Sequence, residues 1–265
     1  MDEKSLRKRL SDLPLGEIRY LHQTGSTNDV ALVWATEGAP DLSVVVADEQ
    51  SSGRGRMGRR WSTPPGSALA ISVILHPAGV ERDHLSLLSG LGALSLTQLL
   101  TEHGLPAQIK WPNDILISGR KTAGVLVEMV WMGEQVESAV LGIGVNVLPE
   151  SVPSDMEIQF PATSIHSSGL LNDRLDILHD LLIKLIGLRS QIGEPIFIRS
   201  WESALAYMNE PVYVWNEPSS DNLTESLMGI MRGLGPDGAL KLETSDGIRL
   251  INFGEIHLRP AKTGL

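Results

Sequence analysis

The chain has 265 residues, 42 % of them hydrophobic, a formal net charge of −10 and no cysteine. This length and apolar content support one sizeable domain plus a smaller one, whereas the acidic excess argues against a protein built to hold a nucleic-acid backbone, which needs surplus Lys and Arg. Disulfides, thiolate nucleophiles and cysteine-ligated metals are excluded; Met1 to Lys8 has no apolar signal core and no run approaches the roughly 18 apolar residues of a membrane span, so a cytoplasmic protein is expected.

A charged lead of about twenty residues comes first. Ser26-Thr27-Asn28-Asp29 then offers N-cap candidates for a short helix that Gly38 stops. Strand signals at Leu42–Ala47 and Ala68–Leu75 flank an arginine-glycine loop, which places the loop and any ligand at a sheet edge. Leucines at 85, 88, 91, 94, 96, 99 and 100, ending at Gly104, predict a long buried helix over Asp83–His103 that covers one face of the sheet. A dense β region follows at Gln108–Trp111, Ile115–Ile117, Ala123–Trp131 and Val136–Val147, with a turn at Ser118-Gly119. Helical spacing returns at Asp173–Ser190 and Pro195–Met208. From Pro211 onward, short alternating runs at Val212–Trp215, Leu227–Leu234, Ala239–Glu243, Ile248–Ile251 and Glu255–Arg259 predict a small antiparallel barrel, with a polar loop over Asn216–Glu225. The expected division is 1–209 and 210–265.

Chemistry concentrates in Gly53-Arg54-Gly55-Arg56-Met57-Gly58-Arg59-Arg60-Trp61, which sets guanidinium groups among glycines in an otherwise acidic chain. Glycine admits close backbone approach, and arginine presents a donor fork matching phosphate and carboxylate oxygens, so the run reads as a clamp for a small polyanion. It spells G-x-G-x-x-G, yet Trp61-Ser62-Thr63-Pro64-Pro65-Gly66 follows it. Two prolines and a glycine deny the motif the helix that a dinucleotide fingerprint requires. The histidines show no H-x-x-x-H spacing and there is no G-x-S-x-G, so metal-hydrolase and serine-hydrolase readings lack support. Ser26-Thr27-Asn28, Gln50, Lys110-Trp111-Pro112-Asn113-Asp114, Lys121 and Asn146 each have an ordinary alternative: a helix cap, a surface lysine, a packed tryptophan, a satisfied strand end.

Taken in order, the runs Gln50-Ser-Ser-Gly-Arg-Gly-Arg-Met-Gly-Arg-Arg-Trp61, Lys110-Trp-Pro-Asn-Asp114 and Lys121-x-x-Gly-Val-Leu-Val-Glu128 resemble biotin protein ligase, the biotin-[acetyl-CoA-carboxylase] ligase family, from about Tyr20 to Arg259. The resemblance implies an α+β fold, a mixed β-sheet with helices packed on one face like class II aminoacyl-tRNA synthetases, followed by an SH3-like barrel. It implies ATP, biotin and Mg²⁺ as reaction components and a biotin carboxyl carrier protein as acceptor, with neither DNA nor a membrane as partner. Regulatory members carry a winged helix-turn-helix of some sixty residues, so about twenty before the first motif imply a catalytic-only ligase. A homodimer through a sheet edge is open.

By the same resemblance, Ser26, Thr27, Asn28 and Gln50 bond the biotin ring system, Arg54, Gly55 and Arg56 close over it, and Gly124 lies beside it. Lys121 touches both the biotin carboxylate and the phosphate, making Lys121, Arg54 and Arg56 the expected catalytic residues. Arg56, Arg59, Trp61, Lys110, Asn113, Lys121, Asn146 and Arg259 fall to the ATP side. Two rival readings are a ligase for another carboxylate such as lipoate and a non-catalytic biotin-sensing co-repressor.

Overall fold

A computed structural model describes residues 1–152, 160–168, 173–216, 226–252 and 256–260. The order is α1 (Glu3–Arg9), β1 (Ile18–Thr24), α2 (Thr27–Thr36), β2 (Ser43–Gln50), β3 (Ala68–Leu75), α3 (Leu88–Glu102), β4 (Ala107–Lys110), β5 (Asp114–Ile117), β6 (Arg120–Met132), β7 (Gln135–Asn146), α4 (Arg174–Arg189) and α5 (Pro195–Ser203). Then come β8 (Pro211–Asn216), β9 (Leu227–Leu234), β10 (Leu240–Thr244), β11 (Gly247–Ile251) and β12 (Ile256–Pro260). The charged lead hides α1, capped by Asp2 accepting from the Ser5 amide, and β1, which pairs in parallel with β2. Residues 79–87 form tight 3₁₀ turns, so the helix expected from Asp83 begins at Leu88. The one expected to run to Met208 ends at Ser203, before Tyr207 and Asn209 take positive φ.

Seven strands in the order β1-β2-β3-β7-β6-β5-β4 make the main sheet. The arginine-glycine loop joins β2 to β3, both interior strands, which corrects the expectation that it lies at a sheet edge. Strand alternation divides the apolar residues into two layers. Val44, Val46, Leu69, Ile71, Val73, Leu75, Leu141, Ile143 and Val145 join α1, α3, α4 and α5 in one large core. Val45, Ile74 and Val140 meet Ala31, Trp34 and Ala35 of α2 on the other face. The mixed α+β sheet is as expected, with the long helices on one face and the short α2 opposite.

The second sheet is antiparallel, β11-β10-β9-β8-β12. It is tied to the first unit by Trp111 Nε1 donating to Gly238 O at 3.1 Å and by the Leu234 amide donating to Glu202 at 2.7 Å. Most of the polar loop expected at Asn216–Glu225 lies outside the described residues. Among the described residues no helix is long and apolar enough to cross a membrane.

Candidate active site

The α2 face of the sheet carries a trough, and its floor follows from residue size. On β3, β7 and β6 the residues directed to the α3–α4 core are large, while Ala70, Ser72, Gly142, Gly144 and Gly124 point the other way. Registration stacks them: Ser72 pairs with Gly142, Ala70 with Gly144, Gly124 with Gly144. Side-chain volume is thereby removed from a band several strands wide. Other groups occupy the space: a Cβ on Gly142 would overlap Asn28 Oδ1, and one on Gly144 would overlap the Trp61 ring. What remains open is a cavity of about 130 Å³.

One end is neutral and fully cross-linked. Ser26 takes the N-cap position of α2, but its hydroxyl makes no capping bond. Gln50, at the end of β2, does that work: its Oε1 accepts from the Thr27 amide at 2.8 Å and from Thr27 Oγ1 at 3.1 Å, and its Nε2 donates to Thr63 at 3.0 Å. Ser72 Oγ lies 2.8 Å from Thr27 Oγ1 and 2.6 Å from Asn28 Oδ1. Thr27, Asn28, Ser72 and Thr63 are buried, so a network in which each member is partnered fixes the wall without a mobile side chain.

The other end is cationic. Asp114, at the start of β5, lies between Lys121 Nζ at 2.6 Å and Lys110 Nζ at 3.5 Å. Burial pushes the Asp114 carboxyl up, but the two ammonium groups overcome it and bring it down to about 2. The carboxylate stays charged and holds Lys121 at the trough beside Gly124, where a Cβ would make ordinary contact with Lys121 Nζ at 3.4 Å. Lys121 Nζ also stands 5.6 Å from the centre of the Trp61 ring. Arg56 enters from the loop and donates to Asn113 Oδ1 at 3.2 Å, while Asn113 is fixed by its Nδ2 bond to Val125 O at 2.7 Å. Burial, together with neighbouring Arg59, lowers the Arg56 guanidinium, and Asp114 works the other way.

The loop crosses between these ends. Gly55 N donates to Arg59 O at 2.7 Å and Trp61 N to Gly53 O at 2.8 Å. Met57 and Gly58, at φ +60° and +68°, reverse the chain, a turn that a β-branched residue at 57 would resist. Gly53 is needed where it stands, because a Cβ there would come 2.5 Å from Trp61 O. Arg54 leaves the loop as a fork onto Glu128, Nη1 to Oε1 at 2.9 Å and Nη2 to Oε2 at 2.8 Å, with Asp29 Oδ1 at 2.6 Å from Nη2.

Residues 20–146 match the Biotin/lipoate A/B protein ligase family, and residues 222–259 match the Biotin protein ligase C terminal domain. The chain is 31 % identical to the biotin-[acetyl-CoA-carboxylase] ligase of Mycobacterium tuberculosis over 98 % of its own length and 96 % of the relative's. This chain belongs to the biotin protein ligase family. It is also 30 % identical to the bifunctional ligase/repressor BirA of Bacillus subtilis, over 97 % of this chain and 79 % of that one. Among solved structures, the Aquifex aeolicus biotin protein ligase in complex with biotin and ATP superposes with a TM-score of 0.77 at 28 % identity, covering 92 % of this chain and 99 % of the other.

For a biotin protein ligase, most of the residues named from the sequence converge on one cavity. Ser26, Thr27, Asn28, Gln50, Arg54, Gly55, Arg56, Arg59, Trp61, Lys110, Asn113, Lys121 and Gly124 all line it. Asn146 is not in its lining; it sits buried at the end of β7, with Nδ2 donating to Thr163 O at 3.2 Å. Arg259 lies on β12, and its side chain is outside the described set. Trp111 lines the cavity too, yet is buried in the core. Asp114 and Glu128 carried no expected role, although both stand in the runs that bear the family resemblance; a carboxylate four residues from Lys110 was the available signal for the first. Ser72 and Thr63 had none, since a lone hydroxyl in a strand says nothing of its partner across the sheet.

Proposed function

We propose that this ligase joins biotin to ATP as biotinyl-5′-AMP and then transfers the biotinyl group to a lysine of a biotin carboxyl carrier protein. The observation that carries this reading is one glycine-floored trough whose ends differ in kind: a neutral network that suits a cyclic urea, and a cationic end that suits a carboxylate meeting a phosphate.

In the first step a biotin carboxylate oxygen attacks the α-phosphorus of ATP, the bond from that phosphorus to the bridging oxygen breaks, and pyrophosphate leaves. Two anions must approach, so fixed cations at the meeting point lower the barrier without proton transfer. We assign that role to Lys121 and Arg56. Asp114 keeps the Lys121 ammonium oriented, and Arg59, Lys110 and Asn113 serve the nucleotide side. Trp61 over Gly144 covers the adenylate and excludes water. Mg²⁺ enters with ATP as counter-ion to its phosphates; among the described residues no three His, Asp or Glu side chains converge into a metal cage. In the second step the neutral acceptor amine attacks the anhydride carbonyl, the bond to the phosphate oxygen breaks, AMP leaves, and the amine loses a proton to solvent.

Incubation with ATP, Mg²⁺, biotin and a carrier domain, read by intact mass, yields an acceptor heavier by one biotinyl group. No transfer where a reference ligase modifies the same acceptor overturns the assignment. The family that matches residues 20–146 also includes lipoate ligases, and competition between biotin and lipoate in ATP-pyrophosphate exchange separates the two. Residues 210–265 as a separate domain, a cytoplasmic location and a homodimer through a sheet edge are parts of the same proposal; sedimentation checks the last.

A further inference from the structure

Resting on the ligase reading above, we propose that Glu128 is a positioning residue that latches the arginine-glycine loop across the trough and sets the amide of Asn28 beneath it. Leu126, two residues earlier on the same face of β6, lines the trough, and Glu128 stands just beyond it. Its carboxylate therefore acts through other side chains. β2 launches the loop, and β3 and β7 separate β2 from β6, so Arg54 spans the trough to reach Glu128. Both carboxylate oxygens are used in parallel by the guanidinium, the geometry that gives an ion pair direction as well as strength. Glu128 Oε2 accepts a second bond, from Asn28 Nδ2 at 2.8 Å.

That second bond decides which way Asn28 points. With Nδ2 on Glu128, Oδ1 turns to Ser72 at 2.6 Å, across the gap left by Gly142. One carboxylate thus joins the loop, α2 and the sheet, and couples closure of the clamp to the orientation of a polar group at the neutral end. Asp29, the next residue of α2, supports the same guanidinium from the other side. Loop glycines leave much backbone freedom to be restrained, and this contact supplies restraint at the far wall.

Glu128→Gln keeps the size but removes the charge and replaces one acceptor by a donor facing the Arg54 fork. Loss of charge-assisted bonds of this kind predicts a biotin KM raised roughly tenfold with kcat for adenylation changed less than about threefold. Trypsin acting on the protein alone is expected to cut the loop at Arg54 to Arg60 at least about fivefold faster, as a locally opened segment is cut in proportion to its open population. Glu134→Gln, an exposed carboxylate at the β6–β7 turn, is the control, and Glu128→Asp is expected to recover part of both effects. Thermal melting establishes that each variant is folded. If Glu128→Gln does not fold, Arg54→Leu reports the same latch by proteolysis. Loop cutting at the wild-type rate overturns the latch, and a biotin KM within twofold of wild type overturns the positioning of Asn28. A wild-type protein that makes no adenylate overturns the ligase reading instead, while the proteolysis still reports on the latch.

Discussion

The two faces of the seven-stranded sheet are built from alternate residues of the same strands, yet one is sealed core and the other a binding trough. Toward α3 and α4 the strands present Leu69, Ile71, Leu141, Ile143 and Val125, all buried among leucines of the helices. Toward α2 they present Ala70, Ser72, Gly142, Gly144 and Gly124, and the helix covers only the end marked by Val45, Ile74 and Val140. The first face is stabilised by apolar burial in proportion to area. On the second, small residues give up packing so that polar side chains from α2, β2 and the loop can stand over the backbone. Substitutions on the first face are therefore expected to cost stability and those on the second function.

The largest effect tests the functional side. Lys121→Ala lowers adenylate formation by roughly 10² to 10³, about 3 to 4 kcal/mol, as for other lost transition-state donors; adenylation within threefold of wild type would show that the ammonium is not at the reacting groups. The structure adds a consequence: this variant also removes the nearer of the two ammonium groups beside Asp114 and leaves only Lys110, so Lys121→Ala with Asp114→Asn is expected to recover part of any lost thermal stability and not activity. On the core face, Leu141→Ala is expected to cost about 3 kcal/mol by urea denaturation, from lost transfer energy and the cavity left, with the KM for biotin unchanged in the surviving fold. A raised KM there would mean that the faces are not separable.

Asp114 sharpens the comparison through pH. Its carboxyl falls from 3.8 to about 2 on folding, so its contribution is complete above the unfolded value near pH 4 and is lost as pH falls toward 2. The shift corresponds to roughly 2 kcal/mol. Unfolding free energies of wild type and Asp114→Asn from urea denaturation should differ by about that amount at pH 7 and converge as pH falls from about 4 toward 2; a constant gap down to about pH 2.5 would show that the pairing is not the cause. The smallest effect is expected at Ser72→Ala, which removes one buried hydroxyl from the neutral network. The KM for biotin should rise several-fold, about 1 kcal/mol, with stability nearly unchanged. A loss confined to stability would place Ser72 with the core instead.

The arginine-glycine loop was legible because so many guanidinium groups among glycines are costly without an anion nearby; the Lys110–Asp114 run and Lys121 were legible only through their order, which carried the family resemblance. The strands and the main helices were legible from periodicity. Elements with weak periodicity were not: α1 rests on an Asp2 cap within a charged lead, and β1 has three of its seven residues exposed and none fully buried. Arg54 read as a free anion clamp, but its guanidinium is engaged by two acidic side chains that stand far from it in sequence.

By itself the sequence determined which residues carry charge, where the chain can turn tightly, and which strand positions alternate large with small, because these are properties of side chains and their nearest neighbours along the chain. Tertiary structure alone decided which face the small residues would open, that Gln50 of one strand would cap the helix preceding it, and that Asp114 and Glu128 would be the anchors of Lys121 and Arg54. Those outcomes depend on strand order and register, which bring residues 7 to 100 positions apart within hydrogen-bonding distance, and hydrogen bonds act only at that range.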